Sequence, residues 1–206
     1  ITQQVQTVLR QREIRDLMEQ LRKEGSTVCY IAVDSADVLA LETVLNQVRS
    51  EWGTFSAILH SSGHQEEARL DSKTNEQFTG VLQANLAGIE NLLALTEKDA
   101  LALIGFLSPS LHESGSAGQV DYAMSTEILN RIACAEAHRR GGNSVVRSIN
   151  WALFDDGTWT AHAKEALASE GIGLVPRRQS GRVIVDELAN HTRGDIQVVL
   201  SPRRGA

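Results

Sequence analysis

Short, uninterrupted apolar runs separated by longer stretches with one apolar face limit what this chain can fold into. The runs fall at residues 28–33, 55–59, 101–107, 144–151 and 196–200. A run that is apolar at successive positions suits a strand covered on both faces, because alternate side chains point to opposite sides of a sheet. Between the runs the period changes to that of a helix. Residues 12–24 place Ile14, Leu17, Met18 and Leu21 on one stripe, and Gly25 stops it. Asp34 and Ser35 offer capping oxygens to a helix carrying Val38, Leu41, Val44, Leu45 and Val48, which fades at Trp52-Gly53. Residues 74–95 turn Phe78, Leu82, Leu86, Ile89, Leu92 and Leu93 inward, and residues 120–140 form a helix closed by Gly141-Gly142. Two further helices are expected around 160–169 and 181–189, and the Ser- and Gly-rich segment 108–118 reads as loop. Strands alternating with helices of this length predict an α/β fold, a Rossmann-like doubly wound parallel sheet with helices on both faces.

The 206 residues suffice for one domain with a sizeable core, and 1–206 reads as a single domain without linker or repeat. The formal charge is -6 and the arginine pairs are scattered, so no basic stripe invites nucleic acid. The longest apolar stretch, about eight residues at 100–107, is far short of a membrane span. Cys29 and Cys134 sit in regular apolar patterns and are expected to be buried in a reducing, cytoplasmic setting. No signal peptide is recognisable, and a first residue Ile1 in place of Met suggests a piece of a longer polypeptide.

In open parallel sheets, ligands bind beyond the carboxyl ends of the strands. The residues there are Asp34-Ser35, His60-Ser61-Ser62-Gly63, Ser108-Pro109-Ser110 and Ala152-Leu153-Phe154, with Gln119-Val120-Asp121-Tyr122-Ala123 opening the next helix. Four of these segments carry a resemblance. Ile58 to Gly63 resembles an HAAG turn, and 81–93 a helix that elsewhere bears Lys and Gly. Residues 115–123 resemble GxxGQxxYA, and 148–152 resemble INWG. Together, in order and in register over roughly residues 12–200, they are similar to the ketoreductase domain of modular polyketide and polyunsaturated-fatty-acid synthases, a branch of the short-chain dehydrogenase/reductases.

The resemblance implies reduction of a β-ketoacyl group on an acyl carrier protein by NADPH, with Tyr122 as proton donor. Asp34, His60, Ser61 and Gly63 fall on the cofactor side. A free phenol has a pKa of about 10, so such a site needs an ammonium to stabilise the phenolate and a hydroxyl to donate to the developing alkoxide. Here the matching positions depart. The serine position, thirteen residues before the tyrosine, is Pro109, flanked by Ser108 and Ser110, either of which could substitute. The lysine position is Asn85, whose simpler role is to satisfy a backbone carbonyl, and four residues past the tyrosine stands Thr126. Lys73 and Lys98 lie at the ends of their elements, too far to help. Gln65-Glu66-Glu67 and Ser114 replace the family's stereochemical markers, and Glu66, Glu67 and Glu113 read as solvated carboxylates. His60 and His64 do not share a helix face, so no metal site is expected. His112 is a loop histidine, Trp151 a lid or core aromatic, and Trp159 falls at the family's substrate lid.

The Gly-rich phosphate turn is absent. By the family comparison the chain starts beyond the second strand, so the first two strands are missing; run 28–33 then has no neighbour and 55–59 shows an apolar edge. The fragment alone is expected to be insoluble or molten. NADP is therefore expected only if an upstream portion supplies the turn. Two readings stand: an active reductase using Tyr122 with Ser108 or Ser110, and a degenerate domain kept for packing against other synthase domains, with homodimerisation through the parent synthase. The triple departure favours the second. A cofactor-free binding or epimerising module is a third reading on which the sequence is silent.

Overall fold

The structure is a computed structural model, and it describes residues 2–109, 117–151, 154–155, 164–165, 168–169, 173–190 and 194–201. The chain divides into two units, Ile1–Val33 and Asp34–Ala206. The first holds helix α1 (Thr2–Lys23), which starts ten residues earlier than the apolar stripe indicates and ends at Gly25 with φ 91°. Residues 28–33 are not a strand. A strand exists only by pairing, and none of the described strands pairs with this segment, so its apolar composition alone does not make one. Cys29 is accordingly exposed, not buried; Cys134 is exposed too, beside the buried Ala133 on a helix where neighbouring positions face different ways.

The second unit follows the predicted alternation. Its elements are α2 (Val38–Trp52), β1 (Ala57–His60), α3 (Asn75–Leu95), β2 (Leu103–Pro109), α4 (Val120–Arg140) and β3 (Val145–Trp151). Then come β4 (Phe154–Asp155), β5 (Val175–Pro176), α5 (Arg177–Ala189) and β6 (Gln197–Leu200). The four main strands form one parallel sheet in the order β1-β2-β3-β6. The short β4 and β5 pair separately, a feature the sequence pattern did not announce. Two boundaries move. Ser108 and Pro109 belong to β2 rather than to the loop, and α5 begins before residue 181. The helix expected at 160–169 lies largely outside the described residues, as do Ser110, His112, Glu113, Ser114 and Trp159.

Local chemistry explains the helix starts. The α2 cap is Asp37, not Asp34 or Ser35: its carboxylate accepts from the backbone of Leu39 and Ala40, while Asp34 closes the preceding turn by accepting from Ala36 N. Thr74 and Gln77 form a reciprocal capping box at α3. Helix α4 ends at Gly141 in the left-handed region, φ 56°. The α2 entry turn presses on α3 at Gly88, where any Cβ would strike the Ser35 side chain, and Asn91 Nδ2 donates to Ser35 O at 3.0 Å. Ile58, Ile89, Leu101, Ile104, Phe106, Leu129, Ala133 and Val146 make the core between the sheet and helices α3 and α4. Among the described residues no helix is long and apolar enough to cross a membrane.

Phe106 is 0% exposed on the second strand, whereas Leu39 on α2 is 72% exposed. Phe106→Ala is expected to cost about 3–5 kcal/mol in urea unfolding through lost burial and the cavity left behind. Leu39→Ala should change stability by less than about 0.5 kcal/mol; equal losses would show that the core is placed wrongly.

Candidate active site

The parallel register aligns the carboxyl ends of β1, β2 and β3. Beyond them lies a cavity of about 140 Å³, lined by Ser61, Ser62 and Gly63 from the turn after β1, and by Leu107, Ser108 and Pro109 from β2. Trp151 from β3, Asn85 from α3, and Tyr122, Ser125, Thr126 and Leu129 from α4 complete it. The sheet therefore gathers Tyr122, Ser108, Asn85, Ser61 and Gly63 around one space. His60 is the buried residue just before it, and Asp34 is not part of the wall.

Tyr122 is half-buried on the first turn of α4. Gly63 packs closely opposite it: a Cβ there would lie 3.1 Å from the tyrosine hydroxyl and 3.4 Å from Asn85 Oδ1. Burial raises the Tyr122 phenol above its ordinary value of 10.0, and among the described residues no cation acts in the other direction. No charged side chain of the described residues lines the cavity. The hydroxyl is thus held in its protonated form, and forming a phenolate here is harder than in water.

The two positions where the family comparison looks for an ammonium or its partner are structurally committed. Asn85 Oδ1 accepts from His64 N at 2.6 Å, and its Nδ2 donates to His64 O at 2.9 Å and Ser125 Oγ at 3.2 Å. It clasps the turn after β1 to α3, as expected of an amide satisfying a backbone carbonyl. Thr126 Oγ1 donates to the backbone carbonyl of Tyr122 at 3.1 Å, and Ser125 Oγ to the same oxygen at 2.7 Å. His60 keeps its pKa below the ordinary 6.5 because it is buried, an effect partly opposed by the Asn85 backbone; Ser62 Oγ lies 3.3 Å from its Nε2.

Lys73 has a partner of its own. It is not remote from the helix that bears Tyr122. Its Nζ lies 2.6 Å from Asp121 Oδ2 and donates to Glu66 O at 2.8 Å, and the two charged side chains are 1% and 0% exposed. Asp121 Oδ1 in turn accepts from Tyr122 N at 2.9 Å. The ammonium is therefore spent on Asp121 and does not act on the phenol. Glu66 and Glu67 are likewise not simply solvated. Glu66 Oε1 accepts from Gln77 Nε2 at 2.6 Å and Glu67 Oε1 from Gln119 Nε2 at 2.9 Å, while Ala68 N donates to Gly118 O at 3.1 Å. The first of these bonds ties the loop after β1 to the start of α3, and the other two tie it to the start of α4. The sequence offered one overlooked signal: Asp121, an acid at a helix start among apolar neighbours, needs a counter-charge when buried.

Two measurements test this distribution of charge. The chain has only two tyrosines, Tyr30 and Tyr122. In Tyr30→Phe, absorbance titration of the remaining phenol should give a midpoint above 10.0, its ordinary value; a midpoint at or below that value means a cation reaches it. Removing one member of a buried ion pair leaves an uncompensated charge, so Lys73→Met is expected to destabilise by about 3–5 kcal/mol. Adding Asp121→Asn should recover much of that loss in denaturant unfolding, and no recovery would mean that the pair is not coupled.

Known proteins share this architecture. The family model for the KR domain matches residues 6–156. Polyketide synthase PksN of Bacillus subtilis is 30% identical over 78% of the chain, which spans 3% of that protein. A polyunsaturated fatty acid synthase component of Thraustochytrium is 29% identical over 86% of the chain, which spans 6% of it. A ketoreductase domain from the bacillaene assembly line superposes with TM-score 0.78 at 25% identity, over 90% of this chain and 45% of that one. A short-chain dehydrogenase from Burkholderia cenocepacia, solved with NADP, shares the fold at TM-score 0.77 and 17% identity, over 91% of this chain and 80% of that one. The chain belongs to the KR-domain family, the ketoreductase branch of the short-chain dehydrogenase/reductase fold.

Proposed function

We propose that this chain is a ketoreductase-type domain whose reductive chemistry has lapsed and which serves a structural role among the domains of a polyketide or polyunsaturated-fatty-acid synthase. The observation that carries this reading is the electrostatics at Tyr122: burial raises the phenol, and no cation among the described residues lowers it. Proton donation to a developing alkoxide leaves a phenolate, and that charge needs a compensating ammonium in a site withdrawn from water. Lys73 pairs with Asp121, Asn85 clasps His64, and Thr126 bonds the backbone, so none of them supplies it.

The described residues do not by themselves fit a nicotinamide dinucleotide. Its phosphates call for a helix N-terminus behind a Gly-rich turn or for cationic side chains, and the cavity wall is uncharged. Of the residues read as cofactor-binding, the Asp34 carboxylate is engaged with its own turn, and His60 is buried against Ser62. NADP belongs to this domain only where an upstream segment supplies the phosphate turn. The acyl carrier protein's acyl chain, the neighbouring synthase domains, homodimerisation through the parent synthase and a cytoplasmic setting are parts of the same proposal. The runner-up, active reduction with Tyr122 as acid, draws on one observation: Ser108 lines the same cavity as Tyr122.

The test is to mix the intact polypeptide with NADPH and a β-ketoacyl thioester. Neither cofactor binding nor oxidation is expected. Turnover that disappears in Tyr122→Phe would overturn the lapsed reading and establish the runner-up.

A further inference from the structure

A base and a hydroxyl meet at the end of β1, and reduction calls on neither. His60, the last residue of the strand, is 6% exposed, whereas Ser62 is exposed and lines the cavity. Side chains two residues apart along an extended chain share a face. Here Ser62 Oγ comes within 3.3 Å of His60 Nε2. Burial keeps the imidazole below its ordinary pKa of 6.5, so the ring is neutral at neutral pH. Among the described residues no charged side chain shifts it; the Asn85 backbone on α3 opposes burial, and Phe106 stands opposite on β2. A neutral imidazole has one N–H and one lone pair. Activation of the serine requires the tautomer with its proton on Nδ1, which leaves the Nε2 lone pair to the hydroxyl. An accessible hydroxyl backed by a buried neutral base is the arrangement of an activated nucleophile.

We infer that Ser62 is a nucleophile with His60 as its general base, and that the cavity accepts a short activated acyl group, an ester or thioester, which is passed to Ser62 and then to water. Ser62 Oγ attacks the acyl carbonyl while its proton moves to His60 Nε2. The C–O or C–S bond then breaks, and the leaving alcohol or thiol carries that proton away. Water, giving a proton to the same nitrogen, cleaves the acyl-serine; a carboxylic acid leaves and the hydroxyl is restored. A cavity of about 140 Å³ restricts the acyl group to a small one. No oxidant, reductant or phenolate takes part, so this activity goes beyond the lapsed-reductase reading and does not rest on it.

The probe is p-nitrophenyl acetate, added to the intact polypeptide without NADPH. Release of p-nitrophenolate above the buffer rate is expected, and acid-quenched samples should carry acetyl on Ser62 in peptide mass spectra. Ser62→Ala should remove the catalysed release, and His60→Gln should slow it about 10²–10⁴-fold, the worth of a positioned base. Should His60→Gln fail to fold, the unaltered protein supplies two further readouts. Its acylation rate should fall with decreasing pH at a midpoint below 6.5, because protonation of His60 removes the lone pair. Ring ¹⁵N shifts should place the proton of the neutral imidazole on Nδ1. A serine that merely caps a buried ring would give no catalysed release. Absence of Ser62-dependent release, acetyl groups only on other residues, an unslowed rate in folded His60→Gln, or a ring proton on Nε2 overturns the inference. NADPH oxidation tests the reductase reading separately, so either can fail alone.

Discussion

Parallel pairing of β2 with β3, unbroken from Leu103 opposite Val145 to Pro109 opposite Trp151, is the constraint on which the rest of the site depends. A slip of β2 by one residue would turn Ile104 and Phe106 to the opposite face, away from the core cluster they share with Val146. It would also part Ser108 from Asn150, because their side chains meet only when the two residues stand opposite each other. Hydrophobic burial and site assembly are therefore the same event here. The core residues fix the register, and the register delivers the polar ends of the strands to one cavity.

Charge is distributed in an unusual way around that cavity. The domain does keep a lysine close to the tyrosine helix, but it faces Asp121, on the residue next to Tyr122 in sequence. Desolvating both partners is costly, and the cost is offset only because the geometry is short and each group finds further hydrogen bonds. The ion pair thus orders the helix start, while the phenol beside it sits in a neutral environment. The scaffold around Tyr122 is tightly tied, and among the described residues no cation lines the cavity beside it.

Much of this was legible in the sequence. Alternating short apolar runs and amphipathic stretches indicated the parallel sheet and the helices α2, α3 and α4 with nearly correct limits, because each element buries a stripe or a face of its own period. Ser108 and Gly63 could be placed at one site because strand ends converge in such a fold, while Tyr122 and Asn85 came from the ketoreductase resemblance. What failed has physical causes. Residues 28–33 have strand composition, but composition cannot provide a neighbour. Asp34 and Ser35 are good capping residues, yet Asp37 lies one residue before α2 and takes the role. The Lys73–Asp121 pair joins residues 48 apart, a separation that no local pattern encodes. The Asn150–Ser108 bond depends on register, which only the packed sheet decides.

The seclusion of Lys73 and Asp121 has one more consequence. Dissolved ions weaken an attraction by gathering around the charges, and they act mainly on charges that face solvent. Arg69 and Asp71, with side chains 83% and 65% exposed, belong to that class. The pair at the foot of the tyrosine helix does not, so the shape of the cavity should be indifferent to the ionic strength around the protein.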